Sequence, residues 1–268
     1  MNKTAEILER VRREKPLVHH ITNWVTIYDC ANIVRAVGAL PVMAHAEEEV
    51  EEMTGIASSL VLNMGTLTGR LIESMKIAGK AANAKKIPVI LDAVGVGATR
   101  FRDEKAIELI REMHVDIIKG NCSEIARLAG IEVFTKGVES TKVEGDLKAI
   151  AQQLARSRKA TVVITGKEDI IAGKDALYIC RNGHSMMGNI VGTGCMAASM
   201  AGAFAAEEKD YARAAAAAMS VFGIAGEIAA EKAFGPGTFK ERFYDAIYNM
   251  AASDIEKLEK LEEHANES

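Results

Sequence analysis

Aromatic side chains are scarce in this chain: they make up 5% of 268 residues, with a single tryptophan. Alanine, valine and isoleucine are plentiful instead. That balance suits helices packed closely on a parallel sheet and argues against a sandwich of two sheets. The four cysteines, Cys30, Cys122, Cys180 and Cys195, form no C-x-x-C pair and no secreted-type framework. Free thiols in a reducing cytosol are therefore expected. Basic residues form no stripe and the net charge is -4, which gives no footprint for a nucleic-acid partner. Zinc-type histidine spacing is missing, and so is the Gly-x-x-x-x-Gly-Lys-Ser/Thr of P-loop NTPases. Met1 to Lys15 is charged throughout and lacks the apolar core of a signal peptide, so the expected location is the cytoplasm. There is no linker, repeat or low-complexity stretch, and one domain over 1–268 is expected.

No membrane partner is expected either. Met186 to Ala206 carries no charge and is long enough to span a bilayer. Gly188, Asn189, Gly192, Thr193, Gly194 and Ser199 interrupt it, and a buried helix with a glycine-rich entrance fits better. Ala214 to Gly226 is too short to span and reads as a second buried helix.

Along the chain, strands alternate with helices. An amphipathic helix is expected over 3–14, a strand over 17–21 and a helix from about 25 to 37. A short strand over 40–43 precedes an acidic helix start at Glu47-Glu48-Glu49. A buried strand over 59–63 leads to a helix ending at Lys86, and a strand over 88–92 ends in Asp92. After a glycine-bearing loop come a helix over 102–113, a strand over 116–121 and a short helix from Cys122. This alternation is the signature of a doubly wound, mostly parallel sheet. Ligands in such sheets bind beyond the carboxyl ends of the strands. Asn23, Met43, Gly65, Asp92, Lys119 and Asn121 all lie at or just after such ends. A helix over 144–156 follows, and then strands over 160–166, 169–171 and 176–180 with short links form an antiparallel meander at one side of the sheet. Beyond residue 195 only helices are expected, with Glu256 to Glu263 a solvated helix face fraying into a tail.

The stretch Asn189-Ile190-Val191-Gly192-Thr193-Gly194-Cys195-Met196 is where chemistry concentrates. Gly192 and Gly194 permit close backbone approach, and the helix that begins there offers unpaired N–H groups and a positive dipole end. Cys195 stands at that entrance, where a thiol ionises more easily. Two readings fit: a phosphate cradle beside a reactive side chain, or a tight turn with a buried structural cysteine. Asp92 and Glu124 are the best carboxylates for Mg²⁺, held through its waters. Asn121 capping and helix-dipole complementarity account for Glu124 equally well, as a turn does for Asp92. Lys119 can neutralise phosphate charge and the Thr165 hydroxyl can bond a phosphate oxygen. His19 and His20 point to opposite faces of a strand and do not act as a pair.

Asn-x-x-Glu on a helix start, with Gly-x-Gly opening a helix some seventy residues later, resembles the ribokinase-like superfamily. The match narrows at Leu17-Val18-His19-His20-Ile21-Thr22-Asn23, Leu40-Pro41-Val42-Met43, Leu62-Asn63-Met64-Gly65-Thr66-Leu67, Leu91-Asp92-Ala93-Val94-Gly95 and Gly192-Thr193-Gly194-Cys195. Together these resemble the hydroxyethylthiazole kinases, over about residues 5 to 250. The resemblance implies a ribokinase-like α/β fold and transfer of the γ-phosphoryl of ATP to 4-methyl-5-(2-hydroxyethyl)thiazole, with Mg²⁺. It implies thiazole-binding positions at Met43 and Gly192, with Asn23 and Gly65 lining the same pocket. Lys119, Thr165 and Asn121 fall on the ATP side, Asp92 and Glu124 near Mg²⁺, and Gly192, Thr193, Gly194 and Cys195 at the catalytic turn. Family members often carry arginine where Lys119 stands, and most of the superfamily has aspartate where this chain and the thiazole kinases have cysteine. A homotrimer with sites at subunit boundaries is implied as well. Two alternatives stay open at this level: a ribokinase-like kinase for a pyrimidine or pyridoxal, and a non-catalytic sensor of ATP or thiazole.

Overall fold

The computed structural model describes residues 2–131 and 146–265. The first residues of the helix expected over 144–156 lie outside that range. Helix α1 (Lys3–Glu14), strand β1 (Leu17–Ile21), α2 (Ile27–Val37), β2 (Leu40–Val42), α3 (Val50–Ile56) and β3 (Ser59–Asn63) come first. They are followed by α4 (Gly69–Lys85), β4 (Val89–Asp92), α5 (Arg100–Glu112), β5 (Ile117–Asn121), α6 (Cys122–Leu128) and α7 (Leu147–Arg158). Strands β6 (Thr161–Thr165), β7 (Asp169–Ala172) and β8 (Ala176–Cys180) lead into a 3-10 turn over Ser185–Asn189. Helices α8 (Thr193–Glu207), α9 (Tyr211–Ala230), α10 (Pro236–Asn249) and α11 (Ala252–Leu258) precede a last strand, β9 (Leu261–Ala265).

All these strands join one sheet in the order β2-β1-β3-β4-β5-β6-β7-β8-β9. Pairing is parallel from β2 through β6 and antiparallel from β6 through β9. The period-two alternation of strand side chains divides the core into two layers. Val61, Ile90 and Ile117 face α1, α2, α8, α9 and α10. Leu60, Leu62, Leu91 and Ile118 face α3 to α7. Both faces are covered, so the strands are apolar nearly throughout, as parallel sheets demand.

Two features place the active rim. The chain leaves β1 toward one edge and leaves β3 toward the other, so α2 and α4 fall on opposite faces and a crevice opens between the two strands. Helix α8 lies across β1, β3 and β4. A Cβ on Gly202 would stand 2.5 Å from Val61 Cγ2, so the helix comes this close only because position 202 has no side chain. That seats the N-terminus of α8 over the crevice.

The C-terminal segment departs from the sequence expectation. Residues 261–265 are not a helical tail but an edge strand paired antiparallel with β8. The Asn182 side chain donates to Leu258 O (2.8 Å) and accepts from Lys260 N (2.7 Å), which ends α11 and turns the chain. Tyr178 Oη then donates to Glu263 (3.0 Å) and Arg181 pairs with Glu262. Local helix propensity loses here to cross-strand partners supplied by β8. Helix α9 is also longer than read. At 20 residues it is long and apolar enough to cross a membrane, but 83% of its apolar window is buried inside the protein.

His20 is fully buried on the α8 face of β1. Its Nδ1 bonds Val18 O at 3.0 Å, while Nε2 has no hydrogen-bond partner among the described residues. Burial lowers its pKa from 6.5 to about 3. The unfolded chain therefore binds a proton that the folded chain rejects, and stability falls as pH drops from 6.5 towards 3. Urea unfolding between pH 5 and 6.5 will show a pH slope in the parent that is smaller in His20→Leu, by at most about 1.4 kcal/mol per pH unit. An unchanged slope would remove His20 as its source.

Candidate active site

Three adjacent parallel strands end in register. Asn63 of β3 pairs with Asp92 of β4, and Asp92 pairs with Lys119 of β5. All three stand two residues after a strand residue of the α8-side core, Val61, Ile90 and Ile117, so their side chains emerge on the face that α8 covers. The result is a line of buried polar contacts. Asn63 Nδ2 donates to Asp92 Oδ2 at 2.7 Å, and Lys119 Nζ meets Asp92 Oδ1 at 3.2 Å. The Asp92 side chain is 0% exposed and that of Lys119 5%.

The line continues across the crevice. Asn23 Nδ2 donates to Asn63 Oδ1 and to Thr26 Oγ1, both at 2.8 Å, and lies 3.4 Å from Cys195 Sγ. Asn23 Oδ1 accepts from Val25 N and Thr26 N, each at 3.0 Å, which closes the turn into α2. Gly65 N donates to Asn63 Oδ1 at 2.9 Å. A Cβ on Gly65 would come within 2.6 Å of Asn23 Cβ. The direction of the network is fixed at both ends. The Asp92 carboxylate can only accept and the Gly65 amide can only donate, so Asn63 has one workable orientation and imposes one on Asn23.

Helix α8 begins at Thr193, three residues before Met196, where the sequence places the helix start. Gly192 is its N-cap at φ +94°, and Met196 N makes the first intrahelical bond to Gly192 O at 2.8 Å. The amides of Thr193, Gly194 and Cys195 thus precede the helical ladder. A Cβ on Gly192 would overlap Thr26 Cγ2 at 2.6 Å, and one on Gly194 would stand 3.0 Å from Lys119 Nζ. Both glycines let the helix start press onto the polar line.

Cys195 corrects one expectation. The helix N-terminus favours a thiolate, yet its pKa is raised. Burial is the main cause and the Asp92 charge adds to it, against the opposing effect of Lys119. The thiol keeps its proton at neutral pH. Burial also raises Asp92 above the usual carboxylate range, with Lys119 and Asn63 opposing. For Lys119, burial works against the ammonium, but the Asp92 and Glu124 carboxylates outweigh it and the charge is retained.

Glu124 sits at the start of α6. Its Oε2 accepts from Asn121 N and its Oε1 from Gly95 N, both at 2.7 Å. Asn121 Oδ1 accepts from Glu124 N at 3.0 Å, completing a capping box. The carboxylate is therefore a clasp between the β4–α5 loop and α6, and burial raises its pKa.

Thr165, at the end of β6, borders a cleft of about 710 Å³ whose wall includes Thr193, Gly194, Asn182, Met219 and Phe222. Lys167, Asp169 and Arg181 line it too, Arg181 being paired with Glu168 and Glu262. Its size and partly apolar wall suit a nucleotide. Met43 stands apart: half-buried beyond β2, it belongs to the opposite end of the rim, about 24 Å from Thr165 at ~4.8 Å per strand. Asn63 and Thr26 were not among the sequence candidates. The signal for Asn63 was present as a polar residue closing an apolar strand, in the same pattern as Asp92 and Lys119. Thr26 carries no comparable signal.

Residues 8–253 match the Hydroxyethylthiazole kinase family. A hydroxyethylthiazole kinase of Methanosarcina mazei is 57% identical over 96% of this chain and 98% of its own length. The solved structure of a hydroxyethylthiazole kinase protein from Pyrococcus horikoshii OT3 is 39% identical. It superposes with a TM-score of 0.90 over 98% of this chain and 100% of that one. Pyridoxal kinase from Staphylococcus aureus, solved with ADP, shares the fold at a TM-score of 0.65 and 15% identity, over 94% of this chain and 99% of that one.

Proposed function

The chain belongs to the hydroxyethylthiazole kinase family, and from that premise we propose that it transfers the γ-phosphoryl of ATP to the hydroxyl of 4-methyl-5-(2-hydroxyethyl)thiazole, supplying thiamine biosynthesis and salvage. One observation carries the reading: the N-terminus of α8 meets the buried Asp92–Lys119 pair at the wall of a nucleotide-sized cleft. In this reading ATP takes the Thr165 side, with Lys119 and Asn121 toward its phosphates. The thiazole takes the Asn23–Gly65–Gly192 side, with Met43 bordering it. The whole chain acts as one kinase domain, in the cytoplasm.

The mechanism follows from phosphoryl-transfer physics. The alcohol oxygen forms a bond to the γ-phosphorus while the bond to the bridging oxygen of ADP breaks, through a loose transition state that rewards position and charge. The amides of Thr193, Gly194 and Cys195 hold the transferring oxygens, and the Lys119 ammonium offsets charge on the phosphates. Cys195, with its proton retained, orients the alcohol, whose own proton passes late to an oxygen of the transferred phosphoryl group and from there to water. Asp92 and Glu124 fit a Mg²⁺ ion held largely through its waters. Their oxygens already take N–H donors yet keep further lone pairs, and the buried carboxylates gain from a nearby cation. When bound, the metal neutralises charge on the β- and γ-phosphates.

Release of ADP that depends on the thiazole alcohol, with pyridoxal and a hydroxymethylpyrimidine as controls, tests the activity. Cys195 keeps its proton and is no base, whereas a carboxylate at 195 can be one; general-base catalysis is worth about 10²–10⁴-fold, at the low end when the proton leaves late. Cys195→Ala will therefore keep measurable turnover, and Cys195→Asp will be at least as active as the parent. Loss of all activity in both variants, with fold and ATP binding intact, would favour covalent catalysis by the thiol instead. For the metal, Glu124→Gln will raise the Mg²⁺ needed for half-maximal rate by about 10-fold or more. An unchanged Mg²⁺ requirement would take Glu124 out of the site.

We also propose a homotrimer in which a neighbour completes the thiazole pocket. Trp24, Val25, Tyr28 and Val191 flank Asn23 and Gly192, yet are 60%, 66%, 74% and 70% exposed, an apolar rim of the kind an interface covers. Light scattering at micromolar concentration will give three chains. A fully active monomer would refute the assembly.

A further inference from the structure

Arg102 is the third residue of α5, where a cation opposes the helix dipole. Its guanidinium turns back over the helix start and reaches two loops. Nη1 donates to Met64 O at 2.5 Å and to Val94 O at 3.2 Å, and Nη2 donates to Gly65 O at 2.5 Å. A Cβ on Gly95, which is at φ +83°, would stand 2.8 Å from Nη1, so that glycine leaves room for the guanidinium. Both loops lead to the site by their opposite ends. Gly65 gives its N–H to Asn63 and its C=O to Arg102. The Gly95 N–H goes to Glu124. We propose that Arg102 is a positioning residue that fixes the spacing between the Asn23–Asn63–Gly65 side of the pocket and the Gly95–Glu124 side. This inference rests on the kinase reading given above. Arg102 touches neither substrate nor metal in that reading. Its planar fork bridges three carbonyls, a geometry that the single point donor of lysine does not reproduce.

The nucleotide cleft at Thr165 and Phe222 is not built from these two loops, so the effects of substitution separate. In Arg102→Ala, kcat will fall about 10- to 100-fold, as expected when reacting groups are misplaced by an ångström. The KM for the thiazole alcohol will rise, and the KM for ATP will stay within about twofold of the parent. Millimolar guanidinium ion will restore much of the lost rate, urea will not, and Arg102→Lys will be intermediate. Amide hydrogen exchange of residues 64–67 and 94–97 will accelerate in Arg102→Ala and slow again with guanidinium. Parent-like kcat and thiazole KM in Arg102→Ala would overturn the proposal. So would a loss shared by the ATP KM and untouched by guanidinium. Exchange is read without turnover. If the parent failed to phosphorylate the thiazole alcohol, the kinase reading would fall while the exchange result still decided whether Arg102 holds the two loops.

Discussion

A lysine ammonium and an aspartate carboxylate lie 3.2 Å apart at the end of the sheet, both almost wholly out of water. Burying such a pair costs several kcal/mol per ion unless further hydrogen bonds satisfy the remaining lone pairs and protons. Much of the site can be understood as the way this chain meets that demand. Asn63 supplies a donor to the free oxygen of Asp92. The Glu124 carboxylate also helps Lys119 hold its charge. Gly194 opens the space into which the ammonium reaches. Removing one member would leave an uncompensated charge, which is why the network extends outward instead of ending at the pair.

That extension ties the parallel strands to the helix that crosses them. Asn23 and Thr26 come from the turn after β1, Asn63 from the end of β3, Gly65 from the turn that follows it, and Cys195 from α8. These segments approach closely only because Gly65, Gly192 and Gly202 present no side chain at the crowded points. The packing of α8 on the sheet and the chemistry at its N-terminus are therefore one requirement. A helix displaced to accommodate a larger residue at 202 would also carry the 193–195 amides away from the rim.

The antiparallel half of the sheet borders the cleft at Thr165. Asn182 both lines the cleft and, by capping α11 and turning the chain into β9, fixes the strand that closes the sheet. The edge so formed is short and dense in charge, with Glu262, Glu263 and His264 exposed. Such an edge does not invite pairing with another chain.

The alternation of strands and helices, the mostly parallel order and the antiparallel meander were legible in the sequence, because the apolar periods of helices and strands are local and strong. So was the concentration of Asp92, Lys119, Asn121 and Thr165 at strand ends, and the Gly192–Cys195 turn as a helix start. The register that aligns Asn63, Asp92 and Lys119 was decided by the tertiary structure, since it depends on strand pairing between residues nearly thirty apart. The same holds for the raised pKa of Cys195, where burial and the Asp92 charge overcome the local helix dipole, and for β9, where partners on β8 override the helical propensity of a charged segment. What a residue is follows from its own chemistry, but what it is next to depends on long-range packing, and here the electrostatics of the site are set by neighbours that the chain order keeps far apart.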